Sequence, residues 1–247
     1  MSQHSLRDVL INNVKDRKII VWDELQVPPN MESDTDQWVG YFQPLVQISG
    51  HFSSYWARPR ERPDTVLLVT LWRNMSKLRG FEDTPGAQLF WENLASKGIL
   101  RIASHETVVH SNWFNCLKGS FIQLFWVYFP ASIDEDQLAQ ITKSKGILPP
   151  AMGFSVPRKD FLLTHIPAKI WANQTKTVNE QETQLMLWPH FWQNEEKAEF
   201  RNIHKGRTIR SPTVREEFVT ELEYMNPVAW KEEFCTFTCF PLDRENR

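Results

Sequence analysis

The sequence predicts an α+β protein made of two similar halves, each an open antiparallel sheet backed by helices. Three observations predict it. Short runs rich in β-branched and aromatic residues alternate with stretches of helical spacing in the order β-α-β-β-α-β, and that order occurs twice. The pattern Trp-x-Asn-x-x-Lys follows a strand in both halves, at 72–77 and again at 192–197. With only 9 glycines there is no Gly-x-Gly pattern, which argues against a nucleotide-binding fold.

The elements follow in order. Leu6, Val9, Leu10 and Val14 recur at helical spacing, which predicts an N-terminal helix over 5–15. Residues 18–25 read as a strand closed by Pro28-Pro29. Asp34 or Asp36 caps a helix carrying Trp38, Tyr41, Phe42, Leu45 and Val46. A strand near 51–57 and a turn containing Pro59 and Pro63 lead to a strong strand at 65–72. A helical region at 75–97, broken by Thr84-Pro85-Gly86, precedes a strand at 99–109. In the second half the strand at 121–129 and the helix at 134–144 are clear, whereas 145–182 is dotted with prolines and holds a strand near 161–171. A strand at 183–192, a helical region at 194–225 and a last strand at 233–240 complete the order. The two domains are placed at 1–115 and 116–247. Thr84-Pro85 answers Ser211-Pro212, and Phe90 and Leu94 answer Phe218 and Leu222, with extra residues in the second copy around 204–210.

The bulk properties narrow the function classes. A net charge of -2 across 247 residues supplies no field for nucleic acid or an anionic membrane, so neither partner is expected. The N-terminal segment lacks the apolar core of a signal peptide and no stretch is long and apolar enough to span a bilayer, so a cytoplasmic protein is expected. Cys116, Cys235 and Cys239 have no zinc-like spacing and read as free thiols. The 11 tryptophans and 16 phenylalanines suit either a bulky core or an aromatic-lined pocket.

A strand ending in Trp, a helix, a Ser/Thr-Pro break, and a helix with Phe and Leu on one face resemble the dimeric α/β-barrel superfamily. That superfamily includes antibiotic-biosynthesis-type monooxygenases and the small decarboxylases and cyclases of polyketide pathways. The resemblance covers roughly 18–110 and 120–240. It implies tandem ferredoxin-like (β-α-β-β-α-β) repeats forming an α/β barrel with a central cavity, within one chain or in a homodimer. Chlorite-dismutase-like haem proteins are also tandem members, so the resemblance leaves haem as an alternative to no cofactor.

Strand alternation nominates residues for that cavity. In 183–192, Leu185, Leu187, Pro189 and Phe191 form a wholly apolar set suited to packing on helices. Met186, Trp188, His190 and Trp192 then look into the cavity, as do Val66, Leu68, Thr70 and Trp72 in the first half, with His190 where Thr70 sits. His51 and Tyr55, and likewise Arg101 and His105, share a strand face at a spacing of four. Trp126 and Tyr128 alternate with Phe125 and Phe129, and the sequence leaves open which set faces inward.

These residues suggest a cofactor-independent enzyme of secondary or polyketide-type metabolism, performing cyclisation, isomerisation, dehydration, decarboxylation or oxygen insertion on a hydrophobic molecule. His190 is the acid/base, His51 or His105 a second proton carrier, and Arg101 or Tyr55 an oxyanion partner. Trp72, Trp126, Met186, Trp188 and Trp192 are the substrate-contacting set. Two alternatives stand beside it. One is a haem protein with His190, His165 or His105 as axial ligand. The other is a ligand-binding or stress-response protein without chemistry. No clustered His/Asp/Glu spacing suggests a metal hydrolase.

Overall fold

The computed structural model describes residues 4–5, 17–29, 31, 35–109, 112–148, 162–204 and 211–239. They divide into two compact units. One is built from 17–109 with 235–239, the other from the described residues between 112 and 234 with 4–5. We call them the N-terminal and C-terminal halves.

In the N-terminal half, β2 (Ile19–Gln26), β3 (His51–Ala57), β4 (Thr65–Trp72) and β5 (Leu100–Val108) form an antiparallel sheet in the order β5-β2-β4-β3. A short strand, β12 (Thr238–Cys239), pairs with β3. Three helices, α1 (Thr35–Phe42), α2 (Met75–Glu82) and α3 (Pro85–Ala95), lie between the strands in sequence. Trp38, Phe42, Leu78, Phe81, Phe90 and Leu94 pack from these helices onto Ile19, Val21, Leu25, Val66, Leu68 and Trp72 of the sheet. Burying apolar side chains of this size contributes on the order of 2 kcal/mol each, which holds the two layers together.

The C-terminal half repeats the plan. Its strands β6 (Phe121–Pro130), β9 (Ile170–Val178), β10 (Gln181–Trp192) and β11 (Ala229–Thr236) run in the order β11-β6-β10-β9. Both halves therefore have their fourth, first, third and second main strands side by side, the ferredoxin-like arrangement. Small strands β1 (His4–Ser5) and β7 (Ser132–Ile133) pair with each other, and β8 (Leu163–His165) pairs with β10. The helices are α4 (Glu135–Lys143), α5 (Glu195–Ala198) and α6 (Val214–Tyr224). The strand expected near 161–171 is split into β8 and the start of β9, and the last long strand begins at Ala229, ahead of the expected 233. The helix expected over 5–15 falls, apart from Ser5 in β1, outside the described residues.

The repeated Trp-x-Asn-x-x-Lys has a local cause. Asn74 and Asn194 each N-cap a helix, accepting from the backbone N–H of Lys77 at 3.0 Å and of Lys197 at 2.8 Å. Thr84 caps α3 with Pro85 at its first position. Its counterpart is Thr213, which forms a capping box with Glu216, so the expected match of Thr84-Pro85 to Ser211-Pro212 is displaced by two residues.

One expectation about faces is reversed. Val66, Leu68 and Trp72 pack on the helices of their half, and Met186, Trp188 and Trp192 pack on α4, α5 and α6 through Ile141, Ala198, Phe218 and Leu222. The set expected to face helices (Leu185, Leu187, Phe191) lies on the opposite face and is equally buried. When both faces of a sheet are buried, their polarity does not reveal which one the helices cover.

Candidate functional site

The helix-covered face of the N-terminal sheet carries a strip of charged side chains. Asp23 occupies the middle of β2, 3% exposed and level with Leu68 of β4 and Ser104 of β5. Arg101 donates from Nε to Asp23 Oδ1 at 2.7 Å and from a terminal nitrogen to Ser104 Oγ at 2.6 Å. The guanidinium lies over the Trp91 ring, 4.6 Å from its centroid, and 3.9 Å from Glu82. Arg79 continues the chain, bonding Glu82 and, at 2.5 Å, Glu106. Three carboxylates thus alternate with two guanidiniums, and Asp23 is the buried terminus of the strip. Burial raises the Asp23 pKa above its ordinary value and the Glu82 charge adds to this, while Arg101 and the hydrogen bond from Ser104 oppose it.

A cavity of about 20 Å³, room for about one water, lies beside this group and is lined by Asp23, Arg101, Thr70, Trp72, Glu82 and Trp91, among others. The Trp72 indole donates to Thr70 Oγ1 at 2.8 Å and its ring stacks on Phe81 at 5.2 Å. Phe81 also lines a second, much larger space. This is a groove of about 730 Å³ among α2, α3 and the 3-10 turn Gln43–Gln47, with apolar walls from Pro44, Ile48, Phe81, Leu89 and Phe90. One phenyl ring therefore lines both a groove of ligand size and a small, largely apolar chamber that a buried carboxyl borders.

His190 is placed differently from the expectation. It sits on the helix-covered face of β10, fully buried, with its ring edge-on to Phe125 at 5.4 Å and to Phe218 at 5.4 Å. The N–H of Ile147 donates to Nε2 at 2.8 Å, so Nε2 carries no proton and Nδ1 donates to Trp188 O at 3.2 Å. Gly146, at φ +75°, allows this approach, since a Cβ there would come within 2.6 Å of Nε2. Burial pushes the His190 pKa down to about 3, which keeps the ring neutral near pH 7.

The remaining candidates separate. His51 and Tyr55 pair with Trp72 and Val69 across a register shift in β3, which puts them on opposite faces despite their spacing. His51 lies on the helix side, its Nε2 2.7 Å from Ser54 Oγ. Arg101 and His105 are divided in the same way by an irregularity in β5. His105 lies on the other face, 3.3 Å from Glu24, whose second oxygen takes Arg62 at 2.5 Å. Trp126 also lies on the face away from the helices, donating to Glu233 at 2.8 Å. Met186, Trp188 and Trp192 belong to the packed interior of the C-terminal half, where the Trp192 indole donates to Gln123 at 2.9 Å. Of the residues nominated from sequence, the structure brings Trp72 and Arg101 together at the small cavity.

The sequence matches no known protein family and no curated protein. In three dimensions it matches an anthrone oxidase-like protein with a TM-score of 0.55 at 11% identity, over 91% of this chain and 93% of the other. The likeness is one of fold, two ferredoxin-like halves in one chain, as the sequence predicts. Candidate monooxygenases from Lactobacillus acidophilus and Fusobacterium nucleatum each align with a TM-score of 0.48 and 11% identity, over 92% and 91% of this chain and 97% and 94% of theirs.

Within this fold the sequence reading missed Asp23, Phe81, Glu82 and Trp91. The signal for Asp23 is the acidic pair Asp23-Glu24 inside the otherwise apolar run from Ile19 to Leu25, where adjacent positions must send one carboxylate to each face. Three histidines are expected as alternatives for a haem axial ligand, and each has hydrogen-bond partners in the fold. His190 has both nitrogens engaged, His105 is held by Glu24, and His165 bonds Ile166 O through Nδ1 with its ring against Phe191. None of the three lines either of the two N-terminal cavities. Among the described residues no group of three or more His, Cys, Asp or Glu could hold a metal ion, and no helix is long and apolar enough to cross a membrane.

Proposed function

We propose that this chain is an enzyme of small-molecule metabolism that performs acid/base chemistry on a hydrophobic substrate in its N-terminal half. The observation that carries the reading is the Asp23–Arg101 pair, which lines a small, otherwise largely apolar chamber that shares Phe81 with a groove of about 730 Å³.

The groove receives the apolar body of the substrate, and displacement of Phe81 lets its reactive end reach the chamber. Asp23 is the proton acceptor. Its raised pKa makes the ionised carboxylate a stronger base than a surface one and the neutral acid a ready donor for the return step. Arg101, fixed by Trp91, Ser104 and Glu82, stays in place to meet the negative charge that develops on a substrate oxygen as the proton leaves. Abstraction from a carbon next to a carbonyl gives an enolate. Reprotonation elsewhere isomerises it, loss of a β-hydroxyl dehydrates it, and attack on a second carbonyl cyclises it. His190 has a structural part in this reading, holding the 146–147 backbone against β10.

Anthrone, a rigid tricyclic ketone with an acidic methylene, is a suitable probe in view of the anthrone oxidase-like structural neighbour. Deuterium uptake into its methylene in heavy water, followed by NMR, reports proton abstraction alone. The wild type should accelerate uptake above buffer, and Asp23→Asn should lower the enzymatic rate by about 10²-fold or more. Equal rates for both proteins would remove Asp23 from the chemistry. The groove alone also suits a non-catalytic carrier, and such a protein would show no acceleration in either form.

A further inference from the structure

We infer that the N-terminal groove selects ligands carrying a negative charge, with Lys77 as the group that reads it. The inference rests on the groove being the substrate's seat and adds the substrate class: a hydrophobic, ring-sized body bearing one anionic group such as a carboxylate, phenolate or sulfonate.

The lining of the groove is asymmetric in charge. Its walls are Pro44, Ile48, Phe81, Leu89 and Phe90, its polar members include the hydroxyls of Ser49 and Ser76, and no carboxylate lines it. Lys77 is the single cation there, and it has no ion pair among the described residues. The position of its stem is also fixed. Gly50 has φ +91°, and a Cβ on it would stand 2.6 Å from Lys77 Cβ and 2.7 Å from Cγ, so the aliphatic stem lies directly on the Gly50 backbone. Lys77 N is taken by the Asn74 cap, which sets the first turn of α2 and with it the direction of the side chain. Thr84 Oγ1 is occupied as donor to Phe81 O and acceptor from Ala87 N, leaving the ammonium as the principal charged recognition element. A cation beside an apolar wall favours an anion over its neutral analogue and over a cation, and because Lys77 is exposed the preference is the modest one of a solvated charge.

The test uses two dyes that share a ring body and differ in charge: anilinonaphthalene sulfonate and neutral phenylnaphthylamine. Fluorescence titration of the folded full chain should show the sulfonate binding more tightly, with an affinity that falls as salt is added. Lys77→Met keeps the stem and should weaken the sulfonate by about fivefold while leaving the neutral dye unchanged. Gly80→Phe locates the site: no atom lies within 4 Å of a Cβ there, so the ring enters the groove without strain and should abolish both dyes. A sulfonate affinity unchanged in Lys77→Met, or dye binding that survives Gly80→Phe, overturns the inference. Asp23→Asn should bind both dyes as the wild type does, so loss of proton exchange with retained anion preference separates failure of the chemistry from failure of this recognition.

Discussion

The two halves share topology, helix caps and anchor residues, yet the space between sheet and helices is finished in opposite ways. With Thr70 matched to His190 and Leu68 to Trp188, the strand registers match Asp23 to Phe125. The N-terminal half has a carboxyl at that point and a chamber beside it. The C-terminal half has an aromatic ring there, packed against Phe218 at 5.0 Å, with Trp188 5.1 Å from the same ring. Both keep a tryptophan at the strand end with its indole hydrogen-bonded on the helix side, to Thr70 in one half and Gln123 in the other. A duplicated scaffold of this kind can leave stability to one copy and release the other for a polar site, since buried charge and open volume both cost stability.

The largest expected difference follows directly. Phe218 touches Phe125, Trp188 and His190, so Phe218→Ala should cost about 3–5 kcal/mol by urea denaturation. Phe81 borders two existing spaces, so Phe81→Ala should cost less, about 2 kcal/mol. Equal losses would erase the distinction between a filled and an open half.

The pH responses should have opposite signs. The His190 pKa lies at about 3 in the folded chain against an ordinary 6.5, so its stability contribution is complete above pH 6.5 and is lost as pH falls. The slope approaches about 1.4 kcal/mol per pH unit in that window. His190→Gln, whose amide oxygen can still accept from Ile147, should flatten it. Asp23 is raised from 3.8, so its contribution is complete below pH 3.8 and declines as pH rises through the folded value. The stability of Asp23→Asn relative to wild type should therefore increase with pH from about 4 upward. Chemical denaturation of the wild type and both variants across pH 3.5–8 checks the two signs together.

The smallest effects should be the shared ones. Asn74→Ala and Asn194→Ala remove equivalent caps, and each should cost about 1 kcal/mol. Unequal losses would show that the repeated motif does different work in the two halves.

What could be read from the sequence follows the range of the forces involved. The strand order and the Trp-x-Asn-x-x-Lys repeat were legible because periodicity and capping are local, and Asn74 and Asn194 do in both copies what the pattern implies. The faces were not legible, because Leu187 and Trp188 are both fully buried and hydrophobicity cannot rank them. Spacing rules failed at His51/Tyr55 and Arg101/His105, where a single irregular residue inverts every later side chain. Asp23 and Arg101 are 78 residues apart, and only the pairing of β2 with β5 brings them together.

The most direct measurement compares Asp23→Asn with His190→Gln for deuterium uptake into anthrone, with both variants shown to be folded by their denaturation profiles. The expected result is loss of the enzymatic rate in Asp23→Asn and near-wild-type uptake in His190→Gln. Retained uptake in Asp23→Asn with loss in His190→Gln would return the chemistry to the C-terminal half and contradict the assignment made from the two cavities.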